Sequence, residues 1–576
     1  MIEFLRTRRS REKKSNIASG KFFYIHLKIL HFLLAVISGL LLAAGPGAAE
    51  DGQPQNCFGP APYNCYSIGD IDPSLIGTGM DSMYYAYAAY AWQDFLALNF
   101  PAAIGSDGAP TPEPSSTNGL NYNGGEYTTV WETYIEARDL FQDDGSAPPA
   151  FGSGHSVPDI CLEQARKEGK EGVKVMVSPI AKGRTTSGSD VLDEYIQANR
   201  MGPVVDQNGQ YARFALNFNE TMYDYVVDNT LYTPEGQEAF DTNDPDHSGS
   251  PLQWPRGAYS EDVVEDDIGS IMVKAAWKIL GGTDDPTRFH RISAYVHNAA
   301  GGAFGQEPTV EESCSLETVA LVGFHIVHRS NSGPQWIWST FEHIDNAPWY
   351  TDFQQGTPSG SYSFFDPATC PASGGKPGCE INMLPDHPWD PGRTGLDPTQ
   401  VVRLGVPGFH ALLSNYNTRV ALYNGYGSGN TVWENYFLVD VQFPTNTLAG
   451  TSDIREINPA YPDGLPTPTF LSNSLIETYI QGFMEGDVTS NGNDVPLSDT
   501  MQRVNTTTQG SNVDPWSYWG GYGVSGGAQR NTSSCLGCHG DAAMTNGTSS
   551  SFVFSLSRAK SPADTGQSRL KGAATQ

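Results

Sequence analysis

The chain has 576 residues, 34 basic and 64 acidic, and a formal charge of −30. So acidic a balance excludes the electrostatic footprint of a nucleic-acid binder and favours solubility, with a cationic patch on any macromolecular partner. With 62 glycines, 39 prolines and 11% aromatic residues, the composition describes a loop-rich globule with an aromatic core and excludes a disordered chain.

Arg6, Arg8, Arg9, Arg11, Lys13, Lys14, Lys21 and Lys28 precede the apolar run "ILHFLLAVISGLLLAAGPGAA". A basic stretch, an apolar stretch and small residues up to Ala49 are the parts of an export signal, with cleavage expected after Ala49. The alternative is an uncleaved anchor, but the run holds about 16 strongly apolar residues where a bilayer span wants about 20. No later stretch is apolar enough to cross a membrane, so no span is expected after cleavage. Removing this segment with its 8 basic and 2 acidic residues leaves 26 basic against 62 acidic ones, a formal charge of −36.

"DSMYYAYAAYAWQDFLALNFPA" predicts a helix over 83–98 that stops before Pro101. Thr129 and Glu132 in "TVWETYIEARDLF" have capping-box spacing, so a helix is expected to begin there. "TVWENYFLVDVQFP", residues 431–444, echoes it too briefly to establish a duplication. Residues 271–273 and 319–328 read as strands, and 318–344 as a β-hairpin turning at "NSGPQ". "SNSLIETYIQGFM", residues 472–484, reads as a short helix with a serine or asparagine cap. The whole is expected to be α+β: a large loop-rich body with antiparallel hairpins and short helices, and a C-terminal haem-binding segment docked on it. The boundaries are 1–49 signal, 50–486 body, and 487–576 Gly/Ser-rich loop with the haem segment.

That last assignment rests on "SSCLGCHGD", which spaces Cys535, Cys538 and His539 as Cys-x-x-Cys-His. Two thiols add to the haem vinyl groups while the adjacent imidazole binds iron from one side, so one covalent haem c is expected. A zinc ribbon would need a second Cys pair, and a redox dithiol a βαβ setting; the sequence offers neither. Six other cysteines remain in an exported chain, and Cys57–Cys65 and Cys370–Cys379 follow from short loops, leaving Cys161–Cys314. Only 37 residues follow His539, too few for a small cytochrome, so the haem is expected to dock on the body.

Met544 lies five residues beyond His539, about 17 Å when fully extended, with no slack to round the haem rim. The sixth ligand is therefore an upstream side chain, or the position is open. His325, His328 and His343 are the distal candidates, with His290, His297, His387 and His410 behind them. His325 and His328, three apart on a strand, face opposite sides. Glu342, His343 and Asp345 read either as acid–base groups beside haem or as a core hairpin with a satisfied loop, and the second is the simpler. "DTNDPDHSG" lacks the glycine and glutamate of a calcium loop and reads as solvated.

"AWQDFLALNFP", "TVWETY", "VKAAWKIL", "VGFHIVHRSNSGPQWIWSTFEHIDN", "ETYIQ" and "SSCLGCHG" together resemble a family of exported bacterial single-haem cytochrome c proteins. The likeness runs in order from about residue 91 to the end. It implies Cys535, Cys538 and His539 as haem-binding residues and a periplasmic or extracellular setting, and it supplies no substrate. Here 53 residues separate Gln481 from Cys535, more than the resemblance leads one to expect, which points to an inserted loop over the haem. The expected function is electron transfer with a redox partner protein. The alternatives are a haem-dependent oxidoreductase of peroxidase or oxygenase type acting on a small-molecule substrate, and a non-catalytic haem-based binding protein.

Overall fold

Two aromatic runs and one long strand organise this chain. A computed structural model describes most of residues 69–176, 203–298 and 310–443, then 471–479, 481, 535, 539 and 542–561. The unit Met1–Pro54, and with it the expected signal, lies outside the described residues; all that follows belongs to Gln55–Gln576.

Helix α1 (Met80–Leu98) is followed by the short strand β1 (Ile135–Glu136), helix α2 (Asp159–Glu168), and strands β2 (Lys174–Met176) and β3 (Arg213–Phe218). Helices α3 (Glu220–Asp228) and α4 (Pro234–Asn243) precede strands β4 (Ile271–Ile279), β5 (Arg291–Asn298), β6 (Ser313–His328) and β7 (Ile337–His343). Helix α5 (Phe409–Tyr426) and strand β8 (Tyr436–Gln442) complete the set used below. The strands form one sheet in the order β8-β7-β6-β4-β3-β1, with β5 on the first half of β6 and β2 parallel to β5. This is the α+β arrangement that the sequence predicts.

The sheet is antiparallel along its main path, yet β4, β6, β7 and β8 bury most positions on both faces. That is why β4, β8 and the second half of β6 read as nearly unbroken apolar runs rather than alternating ones. On one face, Ile271, Val273, Phe324, Ile326, Ile337 and Phe341 meet α1 and α5. Phe95 of α1 is the hub: it stacks on Phe341 at 4.1 Å and meets Phe324, Trp92 and Trp433 edge-on. The predicted hairpin is present, with Phe324 opposite Phe341 and His325 opposite Thr340. On the other face, segment 471–479 crosses so close that a Cβ on Gly323 would lie 3.0 Å from the Asn473 side chain.

One expected helix is corrected. After Thr129 the chain makes a single 3-10 turn, Trp131–Thr133, then pairs Ile135 with Phe218 before a four-residue helix. Glu132 does reach back to the Thr129 N–H at 2.7 Å, but pairing with β3 and burial of Trp131 override helix propagation. The echoing "TVWENY" does the same at the opposite sheet edge, as a 3-10 turn Val432–Asn435 leading into β8. Of the helix expected over 472–484, residues 471–479 run as turns and Gln481 is helical, with 480 and 482–484 outside the described residues; Asn473 Oδ1 accepts from the N–H groups of Leu475 and Ile476, so the cap is present. Cys161 is bonded to Cys314, tying α2 to β6. Cys370 is also disulfide-bonded; Cys57, Cys65 and Cys379 lie outside the described residues. No described helix is long and apolar enough to cross a membrane.

Phe95→Ala is expected to cost about 3–5 kcal/mol in denaturant unfolding, because it opens a void at the aromatic hub. A loss under 1 kcal/mol would contradict the assignment of Phe95 as the centre of this core.

Candidate functional site

The C-terminal segment lies on the sheet face away from α1. Met544, Phe552, Val553 and Leu556 share an apolar cluster with Met272, Val327, Trp336 and Trp338, and Cys535 packs against it. Ser551 and Phe552 are both left-handed, with φ of 49° and 73°, a conformation that non-glycine residues hold only where surrounding structure enforces it. The enforcement is visible in three successive carbonyls. Trp254 Nε1 donates to Ser550 O at 3.2 Å, Trp336 Nε1 to Ser551 O at 3.2 Å, and His539 Nδ1 to Phe552 O at 2.8 Å. From α4, the buried Gln237 donates to Leu556 O and accepts from Thr545 N–H, clamping the segment from its other side.

This bond defines His539 chemically. Its imidazole sits 4.6 Å from the Trp338 ring and 5.0 Å from Phe554. Burial above all, with Lys274 and His325 pushing the same way, lowers it from 6.5 to about 4 against the opposing pull of Phe552 O and Glu477. A neutral ring that donates through Nδ1 keeps its lone pair on Nε2, the form in which histidine binds a metal. Cys535, four residues back, is half-buried; Cys538 lies outside the described residues. Met544 is buried in the apolar cluster.

Beside His539 a polar row crosses the sheet. Lys274 of β4 is opposite His325 of β6, and His325 opposite Thr340 of β7. His325 is held at both ring nitrogens, Nδ1 to Thr340 Oγ1 at 2.8 Å and Nε2 to Glu477 Oε1 at 3.0 Å. Glu477 in turn accepts from the Asn473 N–H at 2.8 Å. Of the three distal candidates, then, His325 alone lies on the face that carries His539, and both its nitrogens are engaged.

His328 and His343 lie on the opposite face, as strand alternation requires. His328 Nδ1 meets Asp94 at 2.7 Å and Tyr90 Oη at 2.8 Å, and its Nε2 donates to Ile268 O at 2.6 Å. Burial opposes its charge, but the Asp94 carboxylate, the Ile268 carbonyl and Asp70 together outweigh burial and raise its pKa. His343 stacks on Phe289 at 3.9 Å, donates from Nε2 to Arg288 O, and accepts the Asp345 N–H at Nδ1. Glu342, one residue away, points to the other face and pairs with Arg403 and Ser474, while Asp345 pairs with Arg288. His343 Nδ1 lies 4.0 Å from Asp345 Oδ2, while Glu342 is bonded apart from them to Arg403 and Ser474. His290 meets Glu132, His297 meets Glu312 and His410 stacks on Tyr84; His387 lies outside the described residues.

Lys274 and Glu477 were not among the sequence candidates. The available signal was a lysine in the middle of "IMVKAAWKI", a strand buried on both faces. Glu477 gave none, because it meets His539 only across 62 residues of chain. Among the described residues no group of three or more His, Cys, Asp or Glu converges as a metal cluster. A haem iron asks less of the protein: one axial imidazole, with thiols for the vinyl groups. Comparisons with known proteins find no matching family model, no similar curated protein and no similar solved structure.

Burial holds His343 down from 6.5 to about 4, so it takes a proton in the unfolded chain before the folded one. It therefore withdraws stability as pH falls from about 6.5 toward 4, up to about 3 kcal/mol in all. In guanidinium titrations across that window, His343→Gln should lose less stability than the wild type. Parallel pH profiles would contradict this role.

Proposed function

We propose that the chain is an exported monohaem c-type cytochrome that exchanges electrons with a redox partner protein. The observation that carries this reading is the bond from His539 Nδ1–H to the Phe552 carbonyl. It presents a neutral Nε2 lone pair next to a thiol of the Cys-x-x-Cys-His motif, the donor set that a covalent haem needs. Cys535 and Cys538 would hold the macrocycle by thioether bonds and His539 would bind its iron. Bound haem supplies a one-electron couple. The protein's part is to orient His539 through Phe552 O, to keep that imidazole neutral by burial, and to pack Trp338 and Phe554 around it. The Trp254, Trp336 and Gln237 contacts hold this segment on the sheet and so limit movement between oxidation states.

A second reading has its own support. The row of Lys274, His325, Thr340 and Glu477 sits beside His539, and a simple carrier has no need of it. It favours a haem-dependent oxidoreductase of peroxidase or oxygenase type, or a non-catalytic haem-based binding protein, with a small molecule held against the body.

Made in an oxidising compartment with haem-c maturation, the protein should carry haem that survives denaturation and gives a c-type pyridine haemochrome spectrum. Cys535→Ala with Cys538→Ala should abolish the covalent link, and His539→Ala should abolish stable ligation. A chain that acquires no covalent haem would falsify the proposal. Rapid carbon monoxide binding by the ferrous protein would favour the second reading over a permanently six-coordinate carrier. Met544→Leu conserves core volume and should leave the spectrum unchanged, whereas a large spectral shift would make Met544 an iron ligand.

A further inference from the structure

Strand β4 carries two lysines, and the fold treats them differently. Lys278 is buried and doubly paired, with Nζ 2.7 Å from Asp284 and 3.3 Å from Asp206. Lys274, four residues earlier, lies on the face that receives the C-terminal segment, between Leu216 of β3 and His325 of β6. It is half-buried, its Nζ is 5.7 Å from the Phe214 ring centroid, and it makes no hydrogen bond or ion pair with any described residue. Burial lowers its pKa, and among the described residues Glu477 works against that. Glu477 is itself committed, with His325 Nε2 at 3.0 and 3.2 Å from its two oxygens and the Asn473 N–H on Oε2. An ammonium taken partly out of water without an acceptor is unfavourable, and a chain with 64 acidic residues had many carboxylates to set against it. Perturbed, unpaired charges of this kind gather at binding sites.

Resting on the haem reading above, we propose that Lys274 is the anion-binding residue of the haem site, receiving a small anionic ligand beside the iron that His539 holds. The His325–Glu477 pair is its fixed neighbour: locked at Thr340 and Asn473, it cannot swing across to neutralise the lysine. The ammonium stays available to an incoming anion, to which it gives a charge-assisted hydrogen bond. A carboxylate of the macrocycle offers the same negative charge, and the experiment separates the two sources.

The test uses ferric holoprotein as wild type, Lys274→Met and Lys274→Arg, titrated with azide and, at a pH where it is uncharged, imidazole. Soret shifts give the two dissociation constants, and a redox titration gives the midpoint potential. Azide affinity should fall about tenfold or more in Lys274→Met and stay within about threefold in Lys274→Arg, with imidazole affinity changing less than about threefold in both. If azide and imidazole weaken together, the lysine merely shapes the pocket and the proposal fails. If azide affinity is unchanged while the midpoint potential drops, Lys274 serves a haem carboxylate and no exogenous anion. Indifference of the wild-type protein to azide, with an intact c-type spectrum, sinks this proposal alone; absence of covalent haem sinks the parent reading with it. Should Lys274→Met not accumulate as holoprotein, Lys274→Gln carries the same comparison.

Discussion

A strand places alternate side chains on opposite faces, and in the second half of β6, residues 319–328, both faces are buried. Phe324, Ile326 and His328 enter the aromatic layer beneath α1, while His325 and Val327 point to the layer that receives segment 471–479 and the C-terminus. Everything else in the molecule answers to that division. The first layer is ring-stacked around Phe95, and its buried His328 and His290 are matched by Asp94 and Glu132. The second layer is apolar at both ends and polar across the middle. A one-residue slip of β6 would exchange the two layers, driving His325 into the aromatic core and Phe324 into the polar row.

The second layer is held by backbone carbonyls as much as by side-chain packing. Residues 550, 551 and 552 each give their C=O to a buried ring N–H from Trp254, Trp336 or His539. Each of these bonds spans a long stretch of sequence except the last, and the last orients the haem-motif imidazole. The docking of the C-terminal segment and the state of His539 are therefore one structural event. Loosening the left-handed pair Ser551–Phe552 would release a structural clamp and the Nδ1–H tautomer of His539 together.

Much of the scaffold was legible beforehand because its signals are local. The alanine-rich stretch ending before Pro101 is α1, the run 318–344 is the β6–β7 hairpin, and the elimination that left Cys161 with Cys314 matches the bonded pair. The TVWE segments were misread for an equally physical reason. A capping-box spacing marks where a turn closes, and Glu132 does close it, but whether a helix continues depends on β3 standing alongside to pair with Ile135. Of the site, the His325/His328 division followed from strand period. The choice among the three histidines did not, since it depends on which face the C-terminal segment covers.

Residue identity and short spacing alone raised the expectation of haem attachment at Cys535, Cys538 and His539, because that motif needs only a single turn of chain. They also established the acidic character, the α1 helix and the central hairpin, all set within a few residues of one another. Tertiary structure alone decided that His539 points its Nδ1 at Phe552, that His325 is locked by Glu477, and that Lys278 is doubly paired while Lys274 has no ion-pair partner among the described residues. Those relations join residues tens to hundreds of positions apart. They arise from sheet register and from which segment lies on which face, and no local pattern encodes either.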